Sequence, residues 1–524
     1  MQSDITPWWQ RRSYALMLIL LAGLPFWWPD VPPLVDLLGH MGRYRIQLDI
    51  GSNPFFQQYY DFHWALIANL GVDLLVELGA PLFGLEPMVK AIIIAIPMIM
   101  VAGLLLIARE AHGRLPAAAA FALPLSIGYP LHFGFVNFAL STSLALLAFG
   151  LWLRLGRLGH VKLRAALFVP IGIILWVAHI YGWGLLGLLV FAHEWHADEG
   201  HWAGWRRIKA AATNCLPLAP PFVLMMIWRG DGAAGGTADW FNFSAKLAWL
   251  SAALRDRYMW FDIGCVILLV TLIYAAGRRH VLRMQPMLGL ATLMLIAAYL
   301  CIPRILLGSA YADMRLVPIM LAIGVISVDA RHLSPRAQKA MALLALGFFL
   351  ARTGLTTNHF IDLDRRYDRQ LAALTHLPRD KRVFAQISLP CQAQWASGRM
   401  DHLSSLATVR RGAFVNDQWE MAGAQLLRVH YPAGGKWVAD PTQIARPTRC
   451  PHPGGNTYEQ AMAQFPRAAY DYLWLIDFPP ERLPVDDKSL TLVWQGKTSG
   501  ALYRIGSATQ ASDTPTGKDP IDNQ

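Results

Sequence analysis

The sequence predicts an α-helical polytopic membrane protein of about 11 spans, with two interfacial helices in its first outer loop. A small C-terminal soluble domain of α/β or α+β class follows. Three observations predict this. The 524 residues are 55% hydrophobic and only 15% charged, too little charge for a soluble chain of this length. Apolar runs recur from the N-terminus to about residue 356 and then stop. Short Lys/Arg clusters lie between alternate runs, where the positive-inside rule puts them. The net charge of +11 is spent in those clusters, so it indicates a membrane partner and no nucleic acid.

Arg11 and Arg12 precede the apolar run 14–28, and no small-residue cleavage site follows it. The pattern gives an uncleaved first span with a cytoplasmic N-terminus. Further runs cover 63–84, 88–108, 115–130, 135–153, 165–179, 181–195, 211–228, 263–277, 285–302, 316–330 and 339–355. One set of connections is basic: Arg109 and Arg114; Arg154, Arg157, Lys162 and Arg164; Arg206, Arg207 and Lys209; Arg278, Arg279 and Arg283; Arg331, Arg336 and Lys339. The other set, 29–62, 131–134, 180, 229–262 and 303–315, is not enriched in Lys or Arg. The two sets alternate across the membrane at every step only if the run 63–84 does not cross. Within it Asn69, Asp73 and Glu77 recur at i, i+4 and i+8. Lipid would penalise that polar stripe, and an interface accepts it.

The stretch PPLVDLLGHMGRYRIQ, Pro32 to Gln47, supplies the other interfacial helix, about 34–47. Its Asp36, His40, Arg43 and Gln47 share one helical face, and Leu34, Leu38 and Met41 point away. The stripe lies at the outer membrane surface, where a lipid headgroup would sit. From about residue 357 the chain is soluble and outside. Residues 359–376 read as helix. Arg382–Ser388, Tyr470–Phe478 and the pair 489–495 with 499–505 read as strands, the pair turning at Gly500. The expected organisation is a membrane domain at 1–356, an extracytoplasmic domain at 357–508, and a disordered end at 509–524, rich in Asp, Thr, Pro and Gly. Cys391 and Cys450 can pair if the soluble part is periplasmic. Cys215, Cys265 and Cys301 fall in or at the ends of apolar runs, as small hydrophobes. The chain has no CxxC and no zinc spacing.

The outer face then collects polar groups beside aromatics. After Asp36, His40 and Arg43 come Tyr129, His132 and Asn137 in GYPLHFGFVN, and His179 and Tyr181 in HIYGWG. The segment 229–262 adds Asp231, Asp239, Trp240, Lys246, Arg255 and Arg257. PRILLGSAYADMR adds Arg304, Tyr311, Asp313 and Arg315. Ionisable groups at membrane depth point to function. Plainer readings stand beside this one. His132, His179 and the pair Asp401-His402 fit structural hydrogen bonding, Trp240 and Tyr311 fit interface anchors, and Arg255 and Arg257 fit phospholipid contacts. Arg304 and Arg315 flank one outer loop against the charge trend, which favours a phosphate partner.

This layout resembles the C-type (GT-C) membrane glycosyltransferases, a superfamily that uses polyprenyl-phosphate-linked sugars. The shared features are the uncleaved first span, a long first outer loop on two juxtamembrane helices, an acidic residue within it, and an outer C-terminal domain. VDLLGHMGRYRI also resembles the Asp-x-x-x-His-x-x-Arg element of a bacterial branch of these proteins. So do HWALIANLGVDLL, GYPLHFGFVNFALSTSLALLAFGLWLRL and DHLSSLATVRRGAF. The resemblance covers most of the chain as a layout. It implies a bacterial inner-membrane glycosyltransferase with a polyprenyl-phosphate lipid donor and a glycan, lipid or protein acceptor.

By that resemblance Asp36 is the base that takes the acceptor proton, and His40 orients it or binds the acceptor. Arg43, Lys246, Arg304 and Arg315 are candidates to stabilise the departing phosphate. His132, Asn137, His179, Tyr311 and Asp313 are further candidate substrate contacts. Many members carry two adjacent acids where this chain has Val35-Asp36, so a divalent cation is not favoured and no cofactor is assigned. Two other classes fit the composition. A lipid or solute transporter would place ionisable groups near the midplane, often with internal repeats, and no clear repeat is present. A non-catalytic scaffold of an envelope polysaccharide assembly would keep its function without Asp36.

Overall fold

The computed structural model describes residues 6–197, 204–229, 236–278, 281–306, 308–391, 395–396, 398–421, 423–448, 450 and 456–506. Asp231, Arg279 and the expected disordered end at 509–524 lie outside them. Each of the eleven expected spans is helical. The first is α1 (Arg12–Ala22), continued by a 3-10 turn to Phe26. The interfacial helices α2 (Leu37–Asp49) and α3 (Gly71–Phe83) follow, separated by strand β1 (Tyr60–Phe62). Then come α4 (Leu85–His112), a 3-10 segment (Ala119–Ile127) leading into α5 (Tyr129–Phe133), α6 (Val136–Arg157), α7 (Val161–Ala178) and α8 (Ile180–Ala197). They are followed by α9 (Trp205–Asn214), α10 (Pro221–Arg229), α11 (Phe243–Ser251), α12 (Met259–Gly277), strand β2 (Arg283–Met284), α13 (Pro286–Cys301), α14 (Val317–Ile326), strand β3 (Val328–Asp329) and α15 (Pro335–Leu371).

By length and composition, α4, α6, α7, α12 and α15 can each cross a membrane alone among the described residues. The pair α9–α10, bent by 52°, makes a sixth if it is one span. The segments Arg12–Phe26, Ala119–Phe133, Pro286–Cys301 and Met314–Ile326 are apolar but shorter. Helix α15 begins at a built cap, where Ser334 Oγ accepts from Ala337 N and Pro335 takes the first helical position. At 37 residues it is about 55 Å long, well beyond a bilayer core of about 30 Å. Its charged C-terminal half therefore projects into the soluble domain.

Helix α3 starts at residue 71, not at 63. Amides on both sides of its first residue are taken by neighbours. Leu70 N donates to Val177 O at 2.9 Å, and Val72 N donates to Asn137 Oδ1 at 2.6 Å. In return Ile180 N donates to Ala68 O at 3.2 Å. The segment is thereby held as an extended brace against the α7–α8 turn. From Gly71 onward the helix is amphipathic: Leu74, Leu75, Leu78, Leu82 and Phe83 are exposed, while Asp73, Val76 and Ala80 are buried.

The C-terminal domain is an α/β unit built on one sheet. Its elements are β4 (Arg382–Ser388), α16 (Ser405–Arg411), β5 (Phe414–Val415), β6 (Leu427–Val429), β7 (Ile444–Arg446), β8 (Asn456–Thr457), α17 (Tyr458–Gln464), β9 (Tyr472–Ile476), β10 (Leu490–Gln495) and β11 (Ala501–Ile505). The strand order is β10-β11-β9-β4-β7-β8, with β5 also on β4. β9, β4, β7, β8 and β5 run parallel, and the β10–β11 hairpin turns at Gly500, where φ is 85°. The Cys391–Cys450 disulfide forms, with the Cα atoms 5.0 Å apart. The first outer loop is sewn into this domain. Strand β1 pairs antiparallel with β6, and Phe56, Tyr59 and Tyr60 join the aromatic core around Phe384, Phe414 and Tyr470.

Candidate active site

The polar stripe of α2 divides into two halves that do different work. Arg43 and Gln47, the inner half, face α3. Arg43 forms a buried ion pair with Asp73, and Gln47 Nε2 donates to Glu77 Oε2 at 2.8 Å. Asn137 of α6 closes this group by donating from Nδ2 to Asp73 Oδ2 at 2.9 Å and to Asn69 O at 2.8 Å. The stripe on α3 therefore answers the stripe on α2, and no carboxylate there meets lipid. The outer half, Asp36 and His40, opens into a cavity of about 280 Å³.

The cavity has walls from both domains. Asp36, His40, Asn69, Phe133, Phe135, Asn137, His179, Tyr181, Tyr311 and Arg315 come from the membrane domain. Trp419, Met421 and Gln425 come from the soluble domain. The GYPLHFGFVN turn fixes Asp36 from behind. Val35 N donates to His132 O at 3.2 Å and Asp36 N to Phe133 O at 2.9 Å. Gly134, at φ 103°, passes so close that a Cβ there would lie 2.7 Å from Asp36 N. Asp36 stands at the N-cap of α2, yet its side chain makes no capping bond. Among the described residues its carboxyl accepts no hydrogen bond and faces the cavity.

Burial pushes the Asp36 carboxyl up to about 7. His402 and Arg315 pull it down, and Asp401 and Asp440 push it further up. His40 is held well below the usual imidazole range by burial and by its cationic neighbours Arg43 and His402, so it is neutral. Arg315 is buried and its guanidinium lies 4.1 Å over the Phe135 ring. Its NH2 donates to Ser309 Oγ at 3.1 Å, and its NH1 lies 3.4 Å from His179 Nε2.

The four candidate phosphate cations thus separate. Arg43 is committed to Asp73. Lys246 donates to Tyr299 O and Ile302 O at 2.8 Å each and pairs with Asp313 at 3.3 Å, capping the end of α13. Arg304 pairs with Asp239 at 3.0 Å. Only Arg315 lines the cavity and has no carboxylate partner among the described residues. His132 lies behind the cavity, with both ring nitrogens unpartnered and its ring against Phe360. Tyr311 keeps φ at 60° in the wall, its ring tilted against Phe133 and edge-to-face with Trp249.

The pair Asp401-His402, expected to be structural, and several residues that the sequence reading missed adjoin the site. His402 and Trp419 pack directly on α2, and Asp401, Asp417 and Asp440 stand around His402. Below them a buried network joins the domains. Asp256 accepts from Thr356 Oγ1 at 2.8 Å and from Arg399 NH2 at 3.0 Å, and lies 2.6 Å from His359 Nδ1. Asp262 pairs with Arg352 and accepts from Trp395 Nε1 at 2.7 Å. Arg399 NH1 also donates to Pro33 O at 2.9 Å, three residues before Asp36. The sequence signal for this network was Asp256, Asp262 and Arg352 at the ends of apolar runs. Their partners, 90 to 143 residues away, could not be read from spacing. Among the described residues no group of three His, Cys, Asp or Glu side chains is placed to hold a metal ion.

No protein-family model and no curated protein sequence matches this chain. Its structure is similar to a crystal structure of ArnT from Cupriavidus metallidurans bound to undecaprenyl phosphate. The TM-score is 0.50 at 12% sequence identity, over 96% of this chain and 98% of that one. The similarity therefore extends through both domains, and the chain shares the fold of that protein.

Proposed function

From this fold and the cavity it encloses, we propose a GT-C membrane glycosyltransferase that moves a sugar from a polyprenyl-phosphate-linked donor to an extracytoplasmic acceptor. The observation that carries the reading is one cavity between the two domains holding a half-buried carboxyl raised to about 7, Asp36, and a buried guanidinium with no carboxylate partner among the described residues, Arg315. In the reaction, the acceptor oxygen attacks the anomeric carbon as its proton passes to an Asp36 carboxylate oxygen. The bond from that carbon to the phosphate oxygen breaks, and polyprenyl phosphate leaves. Charge grows on the leaving phosphate, and Arg315 meets it with a planar fork in a site of low dielectric. Neutral His40 borders the same space and accepts or donates one hydrogen bond to the acceptor.

The membrane is the bacterial inner membrane, with a cytoplasmic N-terminus. Residues 1–356 form the membrane domain and 357–508 the periplasmic domain, α15 crossing between them as one helix. The test is thermal stability of the detergent-purified protein with undecaprenyl phosphate, using a short alkyl phosphate as control. Binding to the native state alone raises stability by about 2.7 kcal/mol at a hundred times the dissociation constant. The expected result is a lipid-selective shift lost in Arg315→Gln. Equal shifts with the short phosphate, or none with either, would sink the proposal.

A further inference from the structure

We propose that His402 of the soluble domain is a positioning residue for Asp36: its imidazolium is the counter-charge that lets this carboxyl ionise inside the cavity wall. The role in transfer rests on Asp36 being the base, whereas the pairing of the two groups does not.

The packing places His402 there. Helix α2 has Gly39 one turn from Asp36, on the face turned to the soluble domain. A Cβ at Gly39 would lie 2.3 Å from the Trp419 ring and 3.2 Å from the His402 ring. The glycine therefore admits both rings against the helix backbone. The Trp419 ring stands between two imidazoles, 4.8 Å from His402 and 5.1 Å from His40. His402 is buried at 7% exposure, and its Nδ1 has no hydrogen-bond partner.

The surroundings select the charged form. Burial alone would strip the His402 proton, but Asp440, Asp36, Asp417 and Asp401 together raise its affinity for it. Two of those carboxylates are otherwise occupied. Asp417 accepts from Ser404 Oγ at 2.5 Å and Ser405 Oγ at 2.8 Å, and Asp440 accepts from Gln443 Nε2 at 2.6 Å. Asp36 is not. Facing Asp36 from the other elements are neutral His40 on the same helix, Arg315 from the 303–315 loop, and Asp401 and Asp440 beside His402. Among these the imidazolium is the foremost influence favouring the carboxylate, ahead of Arg315. Arg315 is then left free to meet the substrate phosphate, since it does not have to neutralise the base. The two cations divide the labour: one belongs to the base and the other to the leaving group.

Two substrate-free measurements on the full chain in detergent test the pairing. The first is labelling of Asp36 by dicyclohexylcarbodiimide, which attacks protonated carboxyls, read by mass spectrometry across pH. In His402→Gln the midpoint should rise by at least about one pH unit, the size one charge about 12 Å away produces at an effective dielectric of about 20. His402→Arg keeps the cation and should bring the midpoint back. The second reads the reciprocal effect, which linkage requires to be of equal size. Exchange of the His402 ring C2 hydrogen, followed against pH, should show its midpoint falling by at least about one unit in Asp36→Asn. That variant keeps the side chain's shape, so it tests the proposal even if His402→Gln misfolds. Midpoints that stay put in both experiments overturn the pairing. Coupled midpoints in a protein that ignores undecaprenyl phosphate would uphold the pairing and defeat the proposed function instead.

Discussion

Asp36→Asn should make the protein more stable, and more so as pH rises. The native carboxyl is raised from 3.8 to about 7, so the folded state resists losing a proton that the unfolded chain gives up readily. A raised value contributes stability that is complete below the unfolded value and is lost as pH climbs through the folded one. The shift is about 3 units, and at about 1.4 kcal/mol each the loss reaches about 4 kcal/mol above neutrality. That figure is a ceiling, because water in the cavity softens the burial. Asparagine has the same shape and no such slope. The gap between variant and wild type should therefore widen by about 2 kcal/mol between about pH 5.5 and about pH 8.5, and stay flat above that. Denaturant titration in one detergent at both values reads it directly. A gap that is the same at both pH values, or that narrows toward alkaline pH, would refute a buried, strained carboxyl at Asp36.

The other predictions concern the groups that surround it. Arg315→Lys keeps charge but loses the fork, and Arg315→Gln loses both; undecaprenyl phosphate affinity should fall about 10-fold in the first and about 100-fold in the second, by isothermal titration. Asp73→Ala strands Arg43 in the α2–α3 joint and should cost about 3–5 kcal/mol, most of which the double variant Arg43→Met/Asp73→Leu should restore in the same denaturant assay. Reducing Cys391–Cys450, which spans 59 residues, should cost about 2–4 kcal/mol. In intact spheroplasts a membrane-impermeant maleimide should then label both thiols, and labelling only after lysis would invert the proposed topology.

The helices of the N-terminal region were legible because each cue is local. Run length and the polar stripes on α2 and α3 are written within a few tens of residues. The strand Arg382–Ser388 and the hairpin at Gly500 were legible for the same reason. The site was legible only in part. Asp36 and Arg315 look, in sequence, no different from Arg43 and Lys246: polar residues in greasy surroundings. What separates them is whether a distant carboxylate arrives, as Asp73 does for Arg43 and Asp313 for Lys246. His402 was hidden more deeply. Its position on α2 depends on what Gly39 lacks, and a missing Cβ carries no signal in a single sequence.

The pairing of β1 with β6 also sets a schedule. The membrane domain's own pieces, the Arg43–Asp73 joint among them, can close as soon as α3 is made. Asp36 and His402, however, are 366 residues apart. At about 5–20 residues per second, roughly 20–70 s of synthesis separate them. Throughout that interval β1 is an unpaired edge and the cavity lacks its Trp419 wall. A nascent or truncated chain therefore holds the proposed base without the environment that tunes it. On the proposed function, competence arrives only with the C-terminal domain, and until then the site stands half-built.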